Sequence, residues 1–299
     1  MTGGLQAFLS PVERYELSRL VVQSRDVVEG NLAGRHRSAV RGASTEFADH
    51  RAYIPGDDPR RLDWKVLGRT ERYFIRRYQD ETNLRVYLAI DRSASMGYGS
   101  ASVTKYQYAC RLAAALGFVV CKNRDSVGLY LYSDRVDAAV GARNSLSHLN
   151  NVLTVLKDST PASTTATAPA LHRVADDIHR RALLILMSDL FDDTEGVVKA
   201  LAHFRKERHD VIVFHVLDPQ ELDFAFDDGG EFFDMETGER RTADPEAIGH
   251  EYRRAFGAFL DEYRQACSRL RIDYRLARTD AAPTKFLRAY LEERRRLLG

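Results

Sequence analysis

The sequence predicts an α/β protein built on a mostly parallel sheet flanked by helices, and three observations carry that reading. From Leu84 onward, strand-like apolar runs alternate with helical stripes at the spacing of βα units. The run Leu183-Leu-Ile-Leu-Met187 is apolar throughout, which suits a strand covered on both faces. The first run, Leu84-Arg-Val-Tyr-Leu-Ala-Ile90, ends in Asp91-Arg-Ser93-Ala-Ser95, so an acid and two alternate hydroxyls stand where open parallel sheets present their chemistry.

The elements follow in order. Pro11 after Ser10 opens a predicted helix over 11–33, with Leu17, Leu20, Val21, Val28 and Leu32 on one face. Residues 34–72 are polar and turn-rich, with Phe47, Tyr53 and Trp64 interspersed and no sustained period, which predicts an ordered but irregular lobe. Tyr73-Phe-Ile-Arg-Arg-Tyr78 reads as a strand, and later strands are expected over 84–90, 125–132, 182–188, 211–217 and 272–277. Ala109, Leu112, Ala113, Leu116 and Val120 form one helical stripe, and Val197, Val198, Leu201 and Phe204 another. A helix is expected over 169–180, and the longest over 245–270, with Ile248, Tyr252, Phe256, Leu260, Tyr263 and Cys267 aligned. Turn signals at 227–230 and 236–239 bracket a short extended segment and suggest a hairpin. The chain thus divides into residues 1–83, an N-terminal helix plus lobe, and residues 84–299, the α/β domain.

Composition narrows the function. The 299 residues carry 44 Lys plus Arg against 43 Asp plus Glu, so a formal net charge of +1 gives no global attraction to polyanions. Residues 35–77 hold eleven basic and six acidic side chains, but no reading helix or stacking platform accompanies that local excess, and nucleic acid is not the expected partner. Three widely spaced cysteines support neither a disulfide framework nor a zinc site and fit a reducing cytoplasm. The N-terminal residues lack the basic and apolar regions of a secretion signal, and the longest greasy stretch, 112–121, is too short to span a bilayer. A cytoplasmic protein with no membrane span is expected.

Three loops carry oxygens suited to a hard cation. Asp91, Ser93 and Ser95 follow the first sheet strand, Asp189 follows the 182–188 strand, and Ser163-Thr-Thr165-Ala-Thr167 precedes the 169–180 helix. Mg²⁺ demands six oxygens near octahedral geometry and commonly takes one from water or a partner; Mn²⁺ and Ca²⁺ use similar donors. Ser93 and Ser95, two apart, can point inward from one extended turn. Two acids cancel the ion's charge, which leaves it able to attract an outside carboxylate.

Asp91-Arg-Ser93-Ala-Ser95 resembles the D-x-S-x-S of von Willebrand factor A domains, whose Rossmann-like fold carries a metal-ion-dependent adhesion site. That resemblance implies Thr165 as a further ligand, since it lies six residues before Leu171 as in the family's G-G-T-x-x-x-x-x-L, and Asp189 as the last. Ser163 and Thr164 stand where that family has two glycines. A closer resemblance spans nearly the whole chain: Gly34-Arg-His-Arg-Ser38, Glu46-Phe-Ala-Asp-His-Arg51, Tyr53-Ile-Pro-Gly-Asp-Asp-Pro-Arg-Arg61, Asp63-Trp-Lys65 and Arg69-Thr70 are similar to the bacterial domain of unknown function 58 family. It implies a von Willebrand A-like domain with an N-terminal lobe, working beside a MoxR-type AAA+ ATPase, or that ATPase's client, in assembling or activating other proteins.

Plainer readings stand beside these. Gly97-Tyr-Gly99 lacks the third glycine of a dinucleotide loop, and Asp91 would repel a pyrophosphate. Asp192 and Asp193 are expected as N-terminal caps of the helix that follows, and His172 and His179 as surface residues. In the lobe, Asp57, Asp58, Arg60, Arg61 and Trp64 form a candidate partner surface, although internal ion pairing with Trp64 as a packed anchor explains the same residues. The leading expectation is a non-enzymatic, Mg²⁺-dependent protein-interaction module. The rivals are a metal-dependent hydrolase or phosphotransferase using Asp91 or Asp189, and a metal-free scaffold binding through the 34–72 lobe.

Overall fold

Beyond residue 84 the alternation of apolar runs and amphipathic stripes folds, in a computed structural model, into one six-stranded sheet. The structure describes residues 3–23, 47–54, 62–70, 72–78, 84–162, 166–224, 230–233, 235, 240–243 and 245–298. Two units are distinguished, residues 1–24 with 84–299, and residues 25–83. Residues 1–24 belong to the α/β unit, where the sequence division at 83/84 sets them with the lobe.

In the larger unit α1 (Gly3–Phe8) packs on a helix near residue 150, and α2 (Pro11–Leu17) follows it. The Ser10 N–H donates to Glu13 at 2.8 Å and the Glu13 N–H to Ser10 Oγ at 3.3 Å, a reciprocal cap that fixes where α2 begins. The helix expected over 11–33 stops at Leu17 instead. The Ser18 hydroxyl donates to the Tyr15 carbonyl at 2.7 Å, offering the backbone a local alternative to the helical ladder. Val22, beyond that end, is fully buried without being helical. Residues 24–46, the rest of the expected helix and the start of the lobe, lie outside the described residues.

The described residues of the 25–83 unit are more regular than their sequence suggests. β1 (Phe47–Ala52) pairs antiparallel with β2 (Phe74–Tyr78), and α3 (Trp64–Thr70) lies between them in the chain. The Asp63 N–H donates to the Phe74 carbonyl at 2.9 Å while its carboxylate accepts from the Val66 N–H at 3.3 Å, so one residue joins the ladder and caps α3.

The sheet strands are β3 (Arg85–Asp91), β4 (Ser126–Tyr132), β5 (Val136–Arg143), β6 (Leu183–Ser188), β7 (Asp210–Leu217) and β10 (Asp273–Arg278). Their order is β10-β7-β6-β3-β4-β5, parallel except for the edge strand β5. That edge was not anticipated: Val136-Asp-Ala-Ala-Val-Gly-Ala-Arg143 alternates half-buried with exposed residues but is built from small side chains. Between β4 and β5, Gly128 leaves room for the Tyr87 ring and the Val140 carbonyl, each 2.7 Å from where a Cβ would stand.

Successive residues of each central strand serve opposite faces. Val86, Leu88, Ile90, Ile212 and Phe214 join the core under α4 (Lys105–Lys122), α5 (Leu146–Asp158) and α10 (Pro283–Leu298). Ala89, Leu184, Leu186, Val211 and Val213 join the core under α6 (Thr167–Asp177), α7 (Thr194–Lys206) and α9 (Pro245–Arg269). Both faces are therefore dry, which is why the strand sequences show no polar alternation. Each fully buried Leu or Ile contributes roughly 1.5–3 kcal/mol relative to exposure. The short α8 (Pro219–Asp223) follows β7, and β8 (Gly230–Phe233) pairs antiparallel with β9 (Arg240–Ala243), as the turn signals suggest.

At the amino edge of the sheet Arg294 of α10 gathers three partners. Its guanidinium bonds Asp210 at 2.9 Å and Asp273, and its Nε donates to the Gln23 carbonyl at 2.8 Å. Its side chain is only 3% exposed, so the two acids hold a buried cation that has little other solvation. Among the described residues no helix is long and apolar enough to cross a membrane.

Candidate metal centre at the strand ends

The chain leaves β3 through α4 toward β4 on one side, and leaves β6 through α7 toward β7 on the other. β3 and β6 are hydrogen-bonded neighbours, with Ile90 opposite Met187, so the connections diverge between them. This is the switch point at which open α/β sheets form a crevice beyond the strand carboxyl ends. Asp91 closes β3 and Asp189 follows β6, and both are fully buried there.

Asp91 is held at both oxygens. The Ser93 N–H donates to Oδ1 at 2.8 Å and the Ser188 hydroxyl to Oδ2 at 2.7 Å, while Ser188 Oγ itself accepts from the Leu190 N–H at 2.9 Å. Burial, and then the negative charge of Asp189, push the Asp91 carboxyl up to about 7. Its hydrogen bonds oppose that shift without cancelling it. The hydroxyls of Ser93 and Ser95 lie 3.0 Å apart, Ser93 buried and Ser95 half-buried.

Those features fit a small divalent cation. An octahedral ion with oxygens at 2.0–2.1 Å has adjacent ligands about 2.9 Å apart, close to the separation of the two serine hydroxyls. A buried carboxylate raised by a second carboxylate is also an arrangement that added positive charge relieves.

The third loop is tied to the first two at its described ends. The Ala162 N–H donates to the Arg92 carbonyl at 2.9 Å, and Arg92 Nε to the Thr160 carbonyl at 3.1 Å. On the other side the Thr167 N–H donates to Asp192 at 2.6 Å. Tyr132, fully buried beside Asp91 on β4, has its phenol raised well above the usual range, first by burial and then by that carboxylate. Residues 163–165, and with them Thr165, lie outside the described residues.

Three site residues escaped the sequence reading: Lys105, Glu221 and His215. Lys105, the first residue of α4, is fully buried and donates to Asp189 Oδ2 at 2.7 Å and to Glu221 Oε1 at 2.5 Å. Its ammonium also lies 4.8 Å from the centre of the Phe191 ring. Burial pulls its pKa down, but Asp189 and Glu221 more than restore it, so the lysine stays charged. His215 of β7 sits 2.7 Å from the Asp189 carbonyl through Nε2 and 2.7 Å from the Tyr274 hydroxyl through Nδ1. Burial lowers its pKa to about 4, which fixes a neutral ring donating Nε2–H to that carbonyl.

The next acid along the sheet, Asp218 after β7, is fully engaged: it accepts from the Ser100 N–H at 3.0 Å, the Gln220 N–H at 2.9 Å and the Thr279 hydroxyl at 3.1 Å. Asp193 caps α7, as expected, with its carboxylate accepting from the Glu195 and Gly196 N–H groups. His179 is exposed, whereas His172 is half-buried with its Nδ1 3.1 Å from Nδ1 of His203, a pairing between α6 and α7 that its sequence position did not reveal.

The proposed lobe surface fares differently. Asp57, Asp58, Arg60 and Arg61 lie outside the described residues. Trp64 is 64% exposed.

Comparison with known proteins adds the following. A family model described as "Protein of unknown function DUF58" matches residues 49–265. The uncharacterised protein Rv1480 of Mycobacterium tuberculosis is 28% identical over 212 residues, 69% of this chain. The chain spans 66% of that relative's length, and the same holds for the uncharacterised protein Mb1516 of Mycobacterium bovis. Among solved structures, BatB from Bacteroides thetaiotaomicron is 14% identical with a TM-score of 0.47, over 70% of this chain and 99% of its own. The SpRpn10 VWA domain is 12% identical with a TM-score of 0.33, over 45% of this chain and 76% of its own.

Proposed function

Since the chain belongs to the DUF58 family of proteins of unknown function, we propose that it is a protein-interaction module that grips its partner through a divalent cation at the β3–β6 switch point. The observation that carries this reading is the pairing of Asp91, buried and raised to about 7, with two serine hydroxyls 3.0 Å apart beside it.

Asp91, Ser93 and Ser95 would hold the ion, Mg²⁺ first and Mn²⁺ or Ca²⁺ as alternatives, with Asp189 supplying the second negative charge. Thr165 joins the set by its place in the sequence motif alone. When bound, the ion supplies a Lewis-acidic position open to an acidic side chain from outside. Ser188 orients Asp91 for that task, and half-buried Ser95 adds its hydroxyl 3.0 Å from that of Ser93. The protein partner is a MoxR-type AAA+ ATPase or its client, and the resulting assembly or activation role follows the family resemblance.

A hydrolytic reading needs a base at the cation. Near Asp91 and Asp189, His215 spends both ring nitrogens and Lys105 is doubly ion-paired, so neither supplies that base and the role would fall to a carboxylate that the ion itself needs.

The test is capture of a purified MoxR-type ATPase from the same cell by the full chain, in Mg²⁺ and in EDTA, with Asp91→Ala beside the wild type. Capture that needs Mg²⁺ and fails with Asp91→Ala is expected. Capture indifferent to both would sink the proposal.

A further inference from the structure

Lys105 is badly placed for an ordinary lysine. It is the first residue of α4, after the cap at Thr104, where the partial positive charge of the helix terminus opposes a cation, and its side chain has no exposure. A buried ammonium is tolerated only with opposite charge close by, and the chain supplies two carboxylates from distant segments: Asp189 beyond β6 and Glu221 on α8. Asp189 in turn is held from three directions. Oδ2 takes the ammonium at 2.7 Å, Oδ1 takes the Phe191 N–H at 3.4 Å, and the carbonyl takes His215 at 2.7 Å.

The consequence lies in the division of labour between the two acids of the site. Asp91 has only neutral donors on its oxygens, whereas Asp189 already carries a cation. With all groups ionised, Asp91, Asp189 and Glu221 against Lys105 leave two negative charges, which a divalent ion balances.

We propose that Lys105 is a built-in counter-ion that withholds Asp189 from the bound cation, so that the ion rests on Asp91, Ser93 and Ser95 and stays weakly held and open to a partner. This deepens the preceding reading and rests on it. Lys105 is a positioning residue here, because it acts through Asp189.

The experiment is titration of the full-length chain with Mn²⁺ alone, following free Mn²⁺ by electron paramagnetic resonance. Lys105→Met is expected to bind Mn²⁺ at least about tenfold more tightly than wild type, because a like charge has left and Asp189 has become available. Lys105→Met/Glu221→Gln removes one charge of each sign and leaves the net charge of the cluster unchanged. It should retain the part of the tightening that comes from Asp189, since the net charge is that of the wild type. Lys105→Met/Asp189→Asn should lose it. Wild-type binding with unchanged or weaker affinity in the first two variants overturns the role of Lys105 and leaves the metal reading standing. Failure of wild type to bind Mn²⁺ overturns the metal reading and this role together.

Discussion

Ser188 Oγ donates to Asp91 Oδ2 at 2.7 Å across 97 residues of sequence, and so locks the ends of β3 and β6 together at the point where the sheet diverges. The same hydroxyl accepts from the Leu190 N–H, whose residue has a φ of 55°. Ser188→Ala therefore leaves a buried carboxylate short of one donor and a buried N–H short of its acceptor. We expect a loss of about 1–3 kcal/mol in urea unfolding, with the slope unchanged. A loss below the error of the measurement would mean that solvent or a neighbour replaces both bonds.

Asp91 should report the cation directly. Removal of divalent ions with EDTA is expected to lower the melting temperature of the wild type and to leave that of Asp91→Asn unmoved. Without metal, Asp91→Asn should be the more stable of the two at pH 8, since it removes a buried negative charge facing another. A wild-type melting curve indifferent to 5 mM-scale EDTA, roughly a thousandfold excess over micromolar protein, would contradict this.

Asp125 offers a pH test far from that centre in the chain. It is 2% exposed, its Oδ1 accepts from the Leu84 N–H at 2.9 Å, and burial pushes its carboxyl up to about 7 from 3.8. Between those values the folded state holds a proton that the unfolded chain has released, so this residue's contribution to stability falls as pH rises through the window. Asp125→Asn should gain on the wild type in melting temperature from about pH 4 to pH 7 and then run parallel. A difference constant across that range would reject the assignment.

Gly128 tests the packing at the sheet's antiparallel edge. A methyl there meets the Tyr87 ring and the Val140 carbonyl at 2.7 Å, and the carbonyl belongs to the ladder between β4 and β5. Gly128→Ala is expected to destabilise by about 1–3 kcal/mol despite the lower chain entropy of alanine. Equal or higher stability in calorimetry would show that β5 can shift without loss.

How much of this was legible in the sequence depends on how each residue makes its living. β3, β4, β6 and β7 were readable because strands buried on both faces need largely apolar text, while β10, an edge strand half-buried along most of its length, was marked by its place in the alternation of strands and helices. β5 was not, because an edge strand of alanine, glycine and valine leaves its period nearly silent. Helix periodicity overran α2 because Leu20, Val21 and Val28 continue the face while Ser18 closes the turn through its own hydroxyl. Asp91, Ser93, Ser95 and Asp189 could be found since their strand-end positions are local facts, but Lys105 and Glu221 meet only in three dimensions. One signal was available: the Thr104–Gln107 capping box puts a lysine at the helix position least hospitable to it. His215 inside Val211-Ile-Val-Phe-His-Val-Leu217 was another, a polar ring in a strand with no exposed side.

The Arg294 cluster bears on the order in which this fold is completed during synthesis. Asp210 lies 84 residues before Arg294 and Gln23 lies 271 before it, so β7 and the segment after α2 are made long before their shared partner. Contacts of such sequence separation form late and slow folding, and until they form the chain exposes unfinished surfaces. On the ribosome, Asp210 would meet Arg205, 3.7 Å away, before residue 294 had been made, and the buried Arg294 contact would close the amino edge of the sheet last.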